Sequence, residues 1–316
     1  MDNQLSLDGF EIVRGFIQNT EVRRAVELVE GLRAVVRRSR FVDAQRVQPL
    51  KRYLSTEQMA ELADVAGFAR LRELLEARVG PGVEANPDFL GLWIEPARRT
   101  YVLPWHRDLR DNSKGLDWNS WYREMSNPRF FNQFHIALLP DECLWIVPGS
   151  HLRDDTDFEK RAFPSRPILV DFIERDLDPW YDGRDKYPPP FSARWIVDKI
   201  DHLYYGRLGL PPRPGMCRRN AAVYTQALDY CRSMPNALQV KLQPGDLLVY
   251  RNSIWHTAIY RADVKRATLF SSASTPESLA WLTDQRQSIA KQGAAARWFS
   301  RDQILGREAG NSLRDG

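Results

Sequence analysis

No stretch of the chain approaches eighteen consecutive apolar residues, so a membrane-spanning helix is not expected. A polybasic block is missing as well. The 45 basic and 41 acidic residues are interspersed, the formal net charge is +4, and nothing gathers phosphates, so nucleic-acid binding is not indicated. Cysteine is scarce and odd in number. Cys143, Cys217 and Cys231 show no C-x-x-C spacing, which argues against a disulfide framework and a zinc cluster and fits a reducing compartment. Asp2, Asp8 and Glu11 stand where a signal peptide would need a positive end and an apolar stretch, and a cytoplasmic location is the expectation. No internal repeat is visible.

What is present is enough apolar material for a large core: 43% hydrophobic and 11% aromatic residues in 316. A single domain over residues 1–310 with a short flexible tail, 311–316, is expected. After a strand-like opening, Gly9 to Ile17, Asn19 or Thr20 can cap a helix with Val22, Val26, Val29, Leu32 and Val36 at helical spacing. Ser55 and Gln58 form a capping box for a helix over about 56–66, Gly67 is its stop, and a third helix is expected around 69–78. From Phe89 the period turns toward two. Phe89–Ile94, Phe130–Leu139, Cys143–Val147, Ala237–Leu242, Asp246–Tyr250 and Arg266–Ser274 are short and bounded by Pro, Gly, Asp or Asn. Helices first and many short strands afterwards predict an α+β fold, a double-sheet jelly roll buttressed by N-terminal helices. Residues 152–215, with nine of the twenty prolines and many aromatics, read as a long insertion that covers a substrate or packs on the outside of the barrel.

Three elements carry chemistry. In Trp105-His106-Arg107-Asp108, an extended backbone puts His106 and Asp108 on one face, able to hold one metal; alone, such a triplet is commonplace. His256, one strand beyond the turn Gly245-Asp246, offers a third ligand. Two imidazoles and one carboxylate on one side of an iron ion leave positions open for a cosubstrate and O2. Arg266, ten residues later, shares a strand face with Thr268 and Phe270. A guanidinium fork beside a hydroxyl suits a carboxylate, such as the far end of a dicarboxylic acid whose keto-acid end chelates the metal.

With Asp8-Gly9-Phe10-Glu11-Ile12-Val13-Arg14-Gly15-Phe16 at the start and Leu144-Trp145-Ile146-Val147-Pro148-Gly149-Ser150-His151 in the middle, these blocks resemble, in order, the phytanoyl-CoA dioxygenase family of Fe(II)/2-oxoglutarate oxygenases. The resemblance implies a cupin-like double-stranded β-helix (jelly roll). It also implies His106, Asp108 and His256 as ligands of Fe(II), Arg266 as the anchor of 2-oxoglutarate, and His151 as part of a turn. Gln133 and His135 share a face of a strand that lines the cosubstrate pocket in relatives; Gln133 is either a hydrogen-bond donor to 2-oxoglutarate or a satisfied core amide, and His202 is a surface or packing residue. Asp141-Glu142-Cys143 stands where the family commonly has Asn-Gly. Asp108 is present where halogenating relatives carry a small residue, which favours hydroxylation. The implied reaction is oxidation of a C–H bond of a small molecule, with release of succinate and CO2, in a chain that is a monomer or a homodimer. No basic cluster marks coenzyme A as the substrate; a partly apolar natural-product intermediate is the expectation, with Trp145, Trp180, Tyr181 and Trp195 as pocket-lining candidates whose ordinary role is packing. A metal-dependent hydrolase or isomerase on the same scaffold, and an inactive ligand-binding protein, are the alternatives.

Overall fold

The computed structural model describes residues 3–39, 45–85, 87–108, 118–125, 127–162, 200, 203 and 214–291. Most of the 152–215 insertion lies outside the described residues, with Trp180, Tyr181, Trp195 and His202, and so does the tail 311–316. The helices are α1 (Gln4–Leu7), α2 (Asn19–Val29), α3 (Leu32–Ser39), α4 (Thr56–Val65), α5 (Phe68–Val79), α6 (Trp118–Met125), α7 (Asp157–Ala162), α8 (Pro214–Arg232) and α9 (Pro276–Lys291). The strands are β1 (Phe10–Val13), β2 (Arg46–Val47), β3 (Glu84–Ala85), β4 (Gly91–Ile94), β5 (Tyr101–Val102), β6 (Asn132–Ala137), β7 (Leu144–Ile146), β8 (Leu238–Gln239), β9 (Leu247–Arg251), β10 (His256–Tyr260) and β11 (Ala267–Ser274).

One sheet has the order β1-β9-β6-β11-β4-β2, with β3 also paired to β11, and the other has β5-β10-β7-β8. All pairings are antiparallel. From β4 to β11 the chain passes between the sheets so that β4, β6, β9 and β11 lie in one and β5, β7, β8 and β10 in the other. That is the double-stranded β-helix, and the fold expected from the sequence is the fold observed.

Because side chains alternate across a strand, each sheet has two chemically distinct faces. Val47, Leu92, Ile94, Phe134, Ile136, Leu247, Val249 and Leu269 form one core with Val22, Ala25, Val29, Leu62, Leu71 and Leu75 of the N-terminal helices. Trp93, Gln133, His135, Tyr250, Thr268 and Phe270 fall on the opposite face of the same sheet, turned toward the smaller one. An apolar cluster of Phe10, Ala137, Leu144, Ile146, Val240, Leu242, Leu248 and Ile254 fills part of the space between the sheets. The rest of that space holds polar residues.

The helical third follows its local signals with two corrections. Ser55 and Gln58 cap α4 reciprocally, at 2.9 and 3.2 Å, and Gly67 follows in the left-handed conformation at φ 71°. The first helix, however, opens at Asn19 after Gln18, whose N–H donates to Glu21 at 2.6 Å, so Asn19 and Thr20 do not cap it. It also divides: Gly31, a poor helix former, ends the run, and its carbonyl accepts from Val35 in the first turn of α3. No described helix is long and apolar enough to cross a membrane.

Candidate metal centre

His106 and His256 face each other across a narrow antiparallel bridge, each backbone N–H donating to the other's carbonyl at 3.0 Å. Their rings lie 4.3 Å apart between centroids. His106 Nδ1 pairs with Pro104 O at 2.8 Å and His256 Nδ1 with Ile254 O at 2.9 Å. A carbonyl only accepts, so both Nδ1 atoms carry the proton, which leaves Nε2 of each ring as the nitrogen that could hold a metal. Asp108 completes the set. Its Oδ1 is 3.5 Å from His106 Nε2 and its Oδ2 3.7 Å from His256 Nε2. Ligand atoms of the three lie within 4.8 Å of one another. Cis ligands bonded at about 2.1 Å stand roughly 3 Å apart, so small side-chain movements bring all three onto one ion. Burial would raise the Asp108 pKa, but His256, His106 and Arg46 hold it below the usual carboxylate value.

Buried groups fix this geometry. Arg107, between His106 and Asp108, is fully buried, and its guanidinium donates to Ser150 O at 2.7 Å, Ser253 O at 2.5 Å, Arg153 O at 3.2 Å and Asp155 Oδ1 at 3.0 Å. It also lies over the Trp255 ring, whose Nε1 donates to the same Asp155 oxygen at 2.9 Å. One side chain thus ties the His-Arg-Asp segment to the loop after β7 and to the turn before His256. In the His-x-Asp pattern Arg107 is the wildcard position, and nothing local in the sequence marks an arginine for burial.

Gln133 lies beside the triad. Its amide nitrogen donates to Asp108 Oδ2, and its oxygen accepts from Tyr250 at 2.8 Å, a relay that orients the carboxylate. His135, one step along the same face, packs edge-on to Tyr250 and is buried with Nε2 unpartnered. Burial and the nearby Arg266 push its pKa down to about 3, so it is neutral.

Arg266 and Thr268 share a carboxylate, as their spacing suits, but that carboxylate is the protein's own. Asp141 Oδ2 accepts from Arg266 Nε at 2.9 Å and from Thr268 Oγ1 at 2.5 Å, and Oδ1 accepts from Cys143 N at 3.0 Å. Against a burial penalty, Arg266, Thr268 and Cys143 N hold the Asp141 pKa down to about 2. The Thr268 hydroxyl is therefore engaged, while Arg266 keeps one donor, Nη1, buried without a partner. The Asp141 contact was missed; its one signal is the departure from Asn-Gly at that turn.

The remaining motif residues hold the frame. His151 Nε2 pairs with Ser6 O at 3.1 Å, away from the triad. Gly9 lets that ring approach: its φ is +81°, and a Cβ there would lie 2.5 Å from His151 Nδ1. Asp246 ties the strand turn to the N-terminal segment through Arg14 at 2.5 Å and Gly15 N at 2.9 Å.

Fold and site together define a jelly-roll protein bearing a two-histidine, one-carboxylate constellation between its sheets. No family model matches the chain, and no curated protein does. Among solved structures it is similar to AviO1 from Streptomyces viridochromogenes Tue57, at 17% identity and TM-score 0.47 over 86% of this chain and 92% of that one. It is likewise similar to HygX from Streptomyces hygroscopicus, solved with nickel and 2-oxoglutarate bound, at 12% identity and TM-score 0.47 over 86% and 84%. A third is SnoN, a non-heme alpha ketoglutarate dependent epimerase from nogalamycin biosynthesis, at 16% identity and TM-score 0.45 over 86% and 78%.

Proposed function

We propose that the protein is an Fe(II)- and 2-oxoglutarate-dependent dioxygenase that hydroxylates an unactivated C–H bond of a small molecule and releases succinate and CO2. The observation that carries this reading is the three-ligand set, with both Nε2 atoms and the Asp108 carboxylate converging on one point beside buried polar atoms that lack partners. His106, Asp108 and His256 would hold the iron, and three ligands of this kind leave room for two further guests. A 2-oxo acid fits the remaining polar groups: His135 Nε2 and Arg266 Nη1 are both buried and unpaired, which is costly until a ligand supplies partners. Bound together, iron and 2-oxoglutarate supply the oxidising power drawn from O2.

The chain's own residues then have defined tasks. Gln133 and Tyr250 hold Asp108 in its ligating orientation. His135 stays neutral and offers a hydrogen bond without adding charge. Arg266 holds the far carboxylate through Nη1, sharing its charge with Asp141. The aromatic faces of Trp93, Phe270 and Tyr260 beside it exclude water and suit a partly apolar substrate such as a natural-product intermediate.

The test is O2-dependent conversion of 2-oxoglutarate to succinate by the iron-loaded protein, first alone and then across a panel of small molecules. Succinate formation that disappears in His256→Ala is expected. One iron bound per chain with no succinate above the His256→Ala background under any condition would overturn the assignment.

A further inference from the structure

Asp141 does more than neutralise Arg266. Its backbone is pinned by a bridge to Leu242, N–H to carbonyl at 3.0 Å in one direction and 2.9 Å in the other. Its Oδ1 accepts from Cys143 N at 3.0 Å, the two-residue span of an Asx turn. Neither restraint involves Arg266. The turn sets the carboxylate in place by itself, with Oδ2 directed at Arg266 Nε and Thr268 Oγ1.

That one oxygen occupies both groups that the spacing of Arg266 and Thr268 offers a ligand. The guanidinium is enclosed as well: its carbon lies 5.6 Å from the Trp93 ring centroid and 5.2 Å from that of Tyr260. Nη1 is left buried and without a partner. A single donor on a guanidinium that already has its counter-ion is a hydrogen-bonding site with little net charge.

A neutral carbonyl in the place of Oδ2 would orient Arg266 as well, and a buried ion pair often fails to repay the desolvation of its two charges. The charge of Asp141 therefore bears on what binds beside it. An incoming carboxylate at Nη1 meets a carboxylate that its own turn holds fixed. Arg266 and Asp141 are both buried, so solvent screens neither. Two like charges sharing one guanidinium repel, which weakens the incoming one by roughly 10- to 100-fold in affinity.

We infer that Asp141 sets the cosubstrate preference of the site. It is a resident carboxylate that competes with the far carboxylate of a 2-oxo acid for Arg266 and Thr268, and so narrows the advantage of a dicarboxylate over a 2-oxo acid with an uncharged tail. This inference rests on the function proposed above.

Calorimetric titration of the anaerobic iron-loaded protein reads the preference directly, using 2-oxoglutarate and 2-oxopentanoate, which carries a methyl group in place of the far carboxylate. Wild type is compared with Asp141→Asn, which keeps an acceptor for Cys143 N but has no charge; circular dichroism and chelator competition verify its fold and iron site. Wild type should prefer 2-oxoglutarate by less than about 30-fold, the worth of one hydrogen bond to a charged group. In Asp141→Asn, 2-oxoglutarate should bind roughly 10- to 100-fold more tightly while 2-oxopentanoate is unchanged. An Asp141 that only positions Arg266 would give the opposite sign, and equal or weaker 2-oxoglutarate binding in the folded variant overturns the inference. Should Asp141→Asn not fold, wild type decides alone, and a preference above about 30-fold overturns it. If wild type takes up no 2-oxoglutarate but Asp141→Asn does, the proposed function fails and the competition stands; uptake by neither overturns both.

Discussion

The pair formed by Arg266 and Asp141 is buried on both sides, and a buried charge that loses its partner is far more costly than an exposed one. Arg266→Met should therefore destabilise the protein by about 3–5 kcal/mol, and adding Asp141→Asn should recover part of the loss, measured by urea denaturation. Histidines set the acid limit. His151 is held down to about 4 and His135 to about 3, in both cases mainly by burial, from an ordinary value of 6.5. Unfolding lets each take up a proton once the pH drops below 6.5. Their neutral forms cost nothing above that pH, and stability falls as pH decreases toward 4, by about 1.4 kcal/mol per pH unit for each histidine. Urea midpoints between pH 7.5 and pH 5 should fall accordingly in the apoprotein, and His151→Gln should show a shallower decline.

At the scale of elements, the site is a matter of how three short segments are tied together. The His-Arg-Asp segment, the loop after β7 and the turn before β10 meet at Arg107. Arg107→Met should lower iron affinity about 10- to 100-fold even though Arg107 is not a ligand, and Arg107→Lys should not rescue it, because a single ammonium lacks the fork that reaches four acceptors. Competition with a chelator of known affinity measures this. That His106, Asp108 and His256 stand together is as the resemblance of their motifs implies; strand spacing alone links only His106 and Asp108. Arg107 and Asp141 were not legible in the sequence, because burial of a charge is decided by partners more than forty residues away in sequence for Ser150 and more than a hundred for Arg266. All five residues of β10 are buried, as are those of β9, so neither shows alternation; β9 is marked by the Gly245-Asp246 turn that opens it. The two-residue β5 is too short to show a period, and α8 and α9 open on Pro214 and Pro276, a residue type that bounds strands and loops as readily as it starts a helix.

For the whole molecule, the division of labour between the two faces of the larger sheet is the governing feature. One face is joined to the N-terminal helices by an apolar core, and the other carries the site. Leu269 and Thr268 are adjacent on β11 yet serve opposite sides. Leu269→Ala, at a fully buried position, should cost about 2–5 kcal/mol of stability while leaving iron affinity near that of wild type, as judged by denaturation and chelator competition. The short, turn-bounded segments that become β4, β6, β9 and β11 build this two-faced sheet, which is why the jelly roll could be expected before its strand order was known.

The most direct test of the account is anaerobic titration of the apoprotein with Fe(II) and then with 2-oxoglutarate, followed by visible absorption. A charge-transfer band of the chelated 2-oxo acid is predicted in wild type, absent from His256→Ala and requiring higher 2-oxoglutarate in Arg266→Lys. Iron bound at one per chain with no band at any 2-oxoglutarate concentration would contradict it.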